Sequence, residues 1–199
     1  MQQTHKNDFI KANGSRSSPI KIKMLIVPIV YDCEATDTIA GNQQERSCPM
    51  DKRNSVSLYT DGSCYGNPGP GGYAAILKKG RFYREIVGSV EYGSNNRMEL
   101  MAVIEGLSAL RPRSHVTVYS DSQYIVDAVC EGRLATWQSN GWRRIRTQAP
   151  VKNSDLWMVL VSIIKEKDLE VKFQKLKAHK GHQLNNRADF LARQAAKAA

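Results

Sequence analysis

From Ser55 to Asp61 apolar and polar positions alternate, with Val56 and Leu58 on one face of a strand and Tyr59 and Asp61 on the other. The segment His115 to Asp121 repeats that register, and Tyr119 and Asp121 stand to it as Tyr59 and Asp61 stand to the first. Between the two, Leu100, Met101, Val103, Ile104, Leu107 and Leu110 recur at helical spacing. Strand, helix and strand in that order predict a crossover that lays the two aspartate strands parallel and side by side. The full set of strand patterns falls near 55–61, 71–79, 82–91, 115–120 and 170–175, and the helical ones near 96–110, 122–131, 154–166 and 185–197. In the helix over 154–166, Leu156, Trp157, Leu160 and Ile164 supply an apolar face. The pattern is that of one α/β domain over residues 51–199, an ordinary single-domain length.

Both aspartates then fall at the carboxyl ends of neighbouring parallel strands, where open α/β sheets keep their sites. Behind the first, Gly62, Gly66, Gly69, Gly71 and Gly72 with Pro68 and Pro70 force a tight turn and a reversal. Two like charges held so close repel unless a cation lies between them. Taken alone, Asp61 reads equally well as the cap of a turn. Two further acids carry rival readings of the same kind. Glu99, in the expected first turn of the helix within NNRMEL, would reach back to cap Asn96. Asp189, near the start of the last helix in AHKGHQLNNRAD, would pair with Arg193 four residues on.

As a set the motifs say more. TDGSCYGNPGPGG (Thr60 to Gly72), NNRMEL, YSDSQY and AHKGHQLNNRAD follow one another in the order and spacing of the type 1 ribonucleases H. From about Ser55 to Ala196 the chain closely resembles that family. The resemblance implies a ribonuclease H-like α/β fold, a five-stranded mixed sheet flanked by helices, with a basic protrusion. Its first three strands would be antiparallel and its last two parallel to the first. It also implies that Asp61, Glu99, Asp121 and Asp189 bind two Mg2+ ions in the presence of substrate, with Mn2+ as the alternative. Hard oxygen ligands suit such ions, and a pair about 3.5–4 Å apart activates the attacking water and stabilises the leaving oxygen. Asp61 would bridge the ions, Glu99 and Asp121 would complete the nucleophile's metal site, and Asp189 the leaving group's.

His179 occupies the family's mobile-loop histidine position, where a neutral imidazole would pass a proton or help product release. The rival reading is a solvated loop histidine or a phosphate contact. The implied reaction is endonucleolytic hydrolysis of RNA paired to DNA, leaving a 5′-phosphate and a 3′-hydroxyl. Only RNA offers a 2′-hydroxyl in a wide minor groove. Asn67, Asn95, Asn96 and Gln123 sit beside the acids in the motifs, and amides read such hydroxyls and base edges. Turn and cap chemistry suits Asn67 and Asn95 equally.

Charge adds a second region. The chain of 199 residues carries a formal +10, and residues 1–50 hold six basic and five acidic side chains, so nearly all the excess lies downstream. Gly132 to Gln148 contains Arg133, Arg143, Arg144 and Arg146, no acid, and Trp137 and Trp142. Arginine interleaved with tryptophan suits phosphate and sugar contacts on a nucleic acid. The alternative is a solvated basic loop with its tryptophans in the core. By position the segment corresponds to the basic protrusion of bacterial family members, with Gln138, Ser139 and Asn140 where those carry more lysines. Lys172, Lys175, Lys177 and Lys180 form a second cluster flanking His179. The expected partner is an RNA/DNA hybrid duplex. With no heptad or long apolar surface helix, the chain reads as a monomer.

Residues 1–50 read as an N-terminal extension, with Asn13-Gly14-Ser15 and Ser17-Ser18-Pro19 as loop signals. Its apolar run, Ile22 to Tyr31, is a short strand interrupted by Pro28. That run is too short to span a membrane and lacks a signal-peptide cleavage site, so no membrane partner is expected and the location is cytoplasmic. Three readings stay open: a disordered tail with one strand, a partner-binding arm, or a natural start at Met50. Cys33, Cys48, Cys64 and Cys130 show no zinc spacing and read as reduced thiols. Two other functions compete with hydrolysis of hybrids. One is a module that binds hybrids without cutting, for which four mutually repelling acids have no use. The other is a nuclease of the wider superfamily, integrase-like or Holliday-junction-cleaving, against which TDGSCYGNPGPGG and AHKGHQLNNRAD argue together.

Overall fold

Leu58, Val116, Val118, Val171 and Phe173 are buried on one face of a sheet, and that face carries the main core. A computed structural model of the protein describes residues 55–176 and 182–199. Expectations that fall on residues 1–50, including Met50, Cys33 and Cys48, lie outside them. Five strands, β1 (Val56–Cys64), β2 (Gly69–Lys79), β3 (Phe82–Gly93), β4 (His115–Ser120) and β5 (Glu170–Lys175), form one sheet in the order β3-β2-β1-β4-β5. The pairs β1–β2 and β2–β3 are antiparallel, while β1–β4 and β4–β5 are parallel, as the sequence led us to expect.

The helices are α1 (Asn95–Ser108), α2 (Gln123–Cys130), α3 (Arg133–Ser139), α4 (Ser154–Glu166) and α5 (Gln183–Ala198). Leu100, Val103 and Leu107 of α1, Ile125 and Val129 of α2, and Trp157, Leu160 and Ile164 of α4 close over the main core. Each large side chain so buried contributes about 1.5–3 kcal/mol. On the opposite face α5 sets Ala188 and Ala192 on Ala74 and Ile76. Small residues bring that helix close. A Cβ at Gly72 would stand 2.2 Å from the Ala192 carbonyl oxygen, so only glycine admits α5 there.

Three elements differ from the sequence expectation. The ladder between β1 and β2 continues past Asp61 through Gly62↔Tyr73, Ser63↔Gly72 and Cys64↔Gly71, where a run of glycines predicts a turn. Those glycines serve close packing on both faces, and the turn itself is confined to residues 65–68. Helix α3 has no counterpart in the predicted elements. With seven residues after Gly132, whose φ is 69°, it is too short to show periodicity. Helix α1 starts at Asn95 with Ser94 as its N-cap, so Asn96 is inside the helix and is not its cap. Among the described residues no helix is long and apolar enough to cross a membrane.

Candidate active site

The site begins with a glycine. A Cβ at Gly62 would lie 2.2 Å from the Glu99 backbone nitrogen and 2.3 Å from the Met98 carbonyl carbon. With no side chain there, the second turn of α1 rests directly on β1, and Glu99 is delivered beside Asp61. The parallel pairing of β1 with β4 ends at Tyr59↔Tyr119, whose rings stack at 4.7 Å. Asp61 and Asp121 stand two residues beyond that pair, on the face that α5 covers. Helix α5 supplies Asp189, and one turn before it Asn185. Asp61, Glu99, Asp121 and Asp189 thus line one pocket of about 290 Å³, together with Gln123 and Asn185.

Packing these acids together has an electrostatic consequence. Burial, then the charges of Asp121 and Asp189, push the Asp61 carboxyl up to about 8. The Gly62 N–H, donating to Asp61 Oδ1 at 2.7 Å, opposes the rise only in part. Glu99 is also raised, first by burial and then by Asp121, against a hydrogen bond that the Ser122 hydroxyl donates to its Oε2. Asn185 Nδ2 donates to Asp121 Oδ2 at 3.3 Å, and Arg193 Nε meets Asp189 Oδ1 at 2.8 Å.

Four carboxylates gathered on one pocket, with Asp61 raised by burial and then by Asp121 and Asp189, form a hard-oxygen donor set suited to divalent cations, which relieve the repulsion. Among the described residues, no three His, Cys, Asp or Glu side chains already stand in a ligating arrangement. Glu99 is engaged by Ser122, and Asp189 is shared between Arg193 and Asp61.

The other expected residues divide. Gln123 lines the pocket, with its amide on Asp127 at 2.9 and 3.0 Å and its Oε1 accepting from Lys175 Nζ at 2.7 Å. Asn67 and Asn95 brace the start of α1. Asn67 Oδ1 accepts from the Asn95 N–H at 3.2 Å, and Asn95 Oδ1 accepts from the Cys64 N–H at 2.8 Å. Asn96 follows in the first turn of α1 and does not line the pocket. The capping role open to Glu99 is overturned, because Ser94 caps α1 and the Glu99 side chain is bonded to Ser122. The Asp189–Arg193 pair does form, and Asp189 lines the pocket all the same. His179 lies outside the described residues, as do Lys177 and Lys180.

The basic segment forms a separate feature, α3 followed by a turn closed by the Arg143↔Pro150 bridge. Its tryptophans point inward, Trp137 packing edge-on to Trp157 at 5.7 Å, while Arg133, Arg143 and Arg144 are exposed. Arg133 is tied to Glu131, and Arg143 Nη1 donates to the Gln148 carbonyl at 2.8 Å. Arg133, Trp137 and Arg144 line a surface hollow of about 410 Å³. The arginines are thus exposed, and the tryptophans are partly buried against the main core.

Three pocket residues, Ser122, Asn185 and Asn186, are absent from the sequence expectation. Signals for the first two exist. Ser122 opens a predicted helix directly after Asp121, and Asn185 precedes Asp189 by one helical turn, on the same face.

Comparison with known proteins gives one answer. The RNase H family model matches residues 53–197. A ribonuclease H of Prosthecochloris aestuarii is 47% identical over 145 residues, covering 73% of this chain and 97% of the relative. One from a Thermoanaerobacter species is 48% identical over 137 residues, 69% of this chain and 86% of its own length. The crystal structure of LC9-RNase H1, described as a type 1 RNase H with the type 2 active-site motif, has 30% identity and a TM-score of 0.62 over 73% of each chain. LC11-RNase H1 in complex with an RNA/DNA hybrid shares the fold, with a TM-score of 0.53 at 23% identity over 72% of this chain and 98% of that one.

Proposed function

The chain belongs to the ribonuclease H family, and on that premise we propose that it hydrolyses the RNA strand of RNA/DNA hybrids at the carboxylate pocket. It acts as an endonuclease and leaves 5′-phosphate and 3′-hydroxyl ends. The observation that carries this reading is the gathering of Asp61, Glu99, Asp121 and Asp189 on one pocket, where burial first, and then the charges of Asp121 and Asp189, lift Asp61 to about 8. A protein that only held hybrids would gain nothing from acids that repel one another and the phosphates.

Asp61, Glu99, Asp121 and Asp189 would hold two Mg2+ ions, or Mn2+, with substrate. Bound there, the ions supply an activated water and neutralise the leaving oxygen. Asp61 suits the shared position because it feels both Asp121 and Asp189. Glu99 and Asp121 serve the nucleophile's side and Asp189 the leaving group's. In those roles Glu99 would give up its bond from Ser122 and Asp189 its pair with Arg193. The amide of Gln123, already fixed by Asp127 and Lys175, presents a rigid polar edge to the strand in the pocket. Asn67, Asn95 and Asn96 would meet base edges and the 2′-hydroxyls that distinguish RNA. His179 passes a proton or speeds product release.

Arg143 and Arg144, with Arg133, Trp137 and Trp142 shaping the surface beneath them, hold the duplex backbone. The reading is of a monomer acting in the cytoplasm. An end-labelled hybrid incubated with Mg2+, and separately with EDTA, tests the proposal. RNA-strand cuts bearing 5′-phosphates in Mg2+ alone are expected. Salt-sensitive binding without any cut would instead make the protein a hybrid-binding module.

A further inference from the structure

The acids are not the only polar groups buried in the pocket. Asn185, in the first turn of α5, is 5% exposed and lines the pocket. Its Nδ2 donates to Asp121 Oδ2 at 3.3 Å, and its Oδ1 is buried with no hydrogen-bond donor. Its neighbours on the same helix face, Ala188 and Ala192, are apolar and pack on the sheet. A residue there whose work was only to hold α5 down would serve better as an alanine or leucine, because a buried carbonyl without a donor disfavours folding. An amide is explained if its donor half has a task that packing cannot perform. Asp121 follows β4 directly, and among the described residues the Asn185 amide is the side-chain hydrogen bond that fixes the rotation of its carboxylate.

We infer that Asn185 is a positioning residue of the cation site, acting through Asp121: by engaging Oδ2 it aims the other carboxylate oxygen, Oδ1, into the pocket and so raises the pocket's affinity for Mg2+. The inference rests on the cation reading given above. Groups one step behind metal ligands typically change metal affinity by about 10–100-fold when removed.

The test is calorimetric titration of MgCl2 into the full chain without nucleic acid, together with Tm in EDTA and in Mg2+. Asn185→Ala should weaken Mg2+ binding by about tenfold and shrink the Mg2+-induced rise in Tm. The Tm in EDTA should stay level or increase, since an unpartnered buried acceptor leaves with the side chain. Asn185→Leu, which keeps most of the volume and drops both polar atoms, should give the same weakening and covers a packing defect in the alanine variant. In an Asp121→Asn background, Asn185→Ala should have no further effect on the residual Mg2+ affinity. Unchanged affinity in both single variants, or an additive loss in the double variant, overturns the inference while leaving the cation site standing. No Mg2+ binding by the parent protein, either alone or with an uncleavable hybrid bound, overturns the two together.

Discussion

The carboxylate pocket and the basic protrusion are built by opposite means. In the pocket, positions are dictated by backbone: two strands in register, a glycine that lets α1 touch β1, and a helix pressed on small residues. Its side chains are held by specific partners, Ser122 for Glu99, Asn185 for Asp121 and Arg193 for Asp189. In the protrusion Leu134 and the tryptophans are packed, and the arginines stand in solvent. Bond-making chemistry needs charges within a few ångströms of one phosphate, which burial and rigid backbone provide at an electrostatic cost. Gripping a polyanion needs only charge near a surface, and water weakens each such contact to little more than steering. The first region should therefore fail abruptly on small changes and the second gradually.

The largest effect that would test this contrast comes from one methyl group. Gly62→Ala sets a Cβ against the backbone of Met98 and Glu99, and should destabilise the fold by roughly 3 kcal/mol and abolish cleavage. Thermal unfolding and a cleavage assay measure both, and a variant with parental Tm and activity would deny that β1 and α1 are in contact here. Next is the protrusion, where Arg144 and Arg146 make no side-chain hydrogen bond or ion pair among the described residues. Replacing both by alanine should weaken hybrid binding about 10–100-fold at low salt. The slope of log affinity on log salt should fall by about one per arginine, with turnover at saturating hybrid unchanged. Arg133→Ala should do less, since Glu131 and Asp127 already engage that side chain.

The smallest effect is a pH dependence that only the pocket should show. Asp61 is raised to about 8 in the folded chain, so the folded state binds its proton more tightly than the unfolded state does. In EDTA, stability should be greatest below the ordinary carboxylate range and fall as pH rises from there toward 8. Asp61→Asn should flatten this trend, and the arginine variants should leave it intact. Tm measured across that range decides the matter.

Much of the catalytic side is legible in the sequence because each acid is tied to a periodic element. Asp61 and Asp121 share a strand register, and a two-residue period leaves no choice of face. Asp189 follows from the family spacing and lands on α5 as expected. Glu99 is harder, since its position depends on the contact at Gly62, between segments far apart in the chain. The same glycines also misplace the end of β1, because local chemistry reads them as a turn while tertiary packing uses them as strand. Ser122 and Asn185 escape notice for a related reason: a serine and an asparagine at helix starts look like caps until their tertiary partners are seen. Helix α3 is hidden by its length, with Leu134 and Trp137 as its apolar positions.

The separation of chemistry from grip is most directly tested in one variant, Asp121→Asn, by measuring cleavage and binding of the same labelled hybrid in Mg2+ and in EDTA. The account predicts that cutting of the RNA strand in Mg2+ falls by at least about three orders of magnitude while the hybrid is still bound in EDTA with the parental salt dependence. Cleavage that survived the substitution would contradict the assignment of the pocket as the catalytic centre.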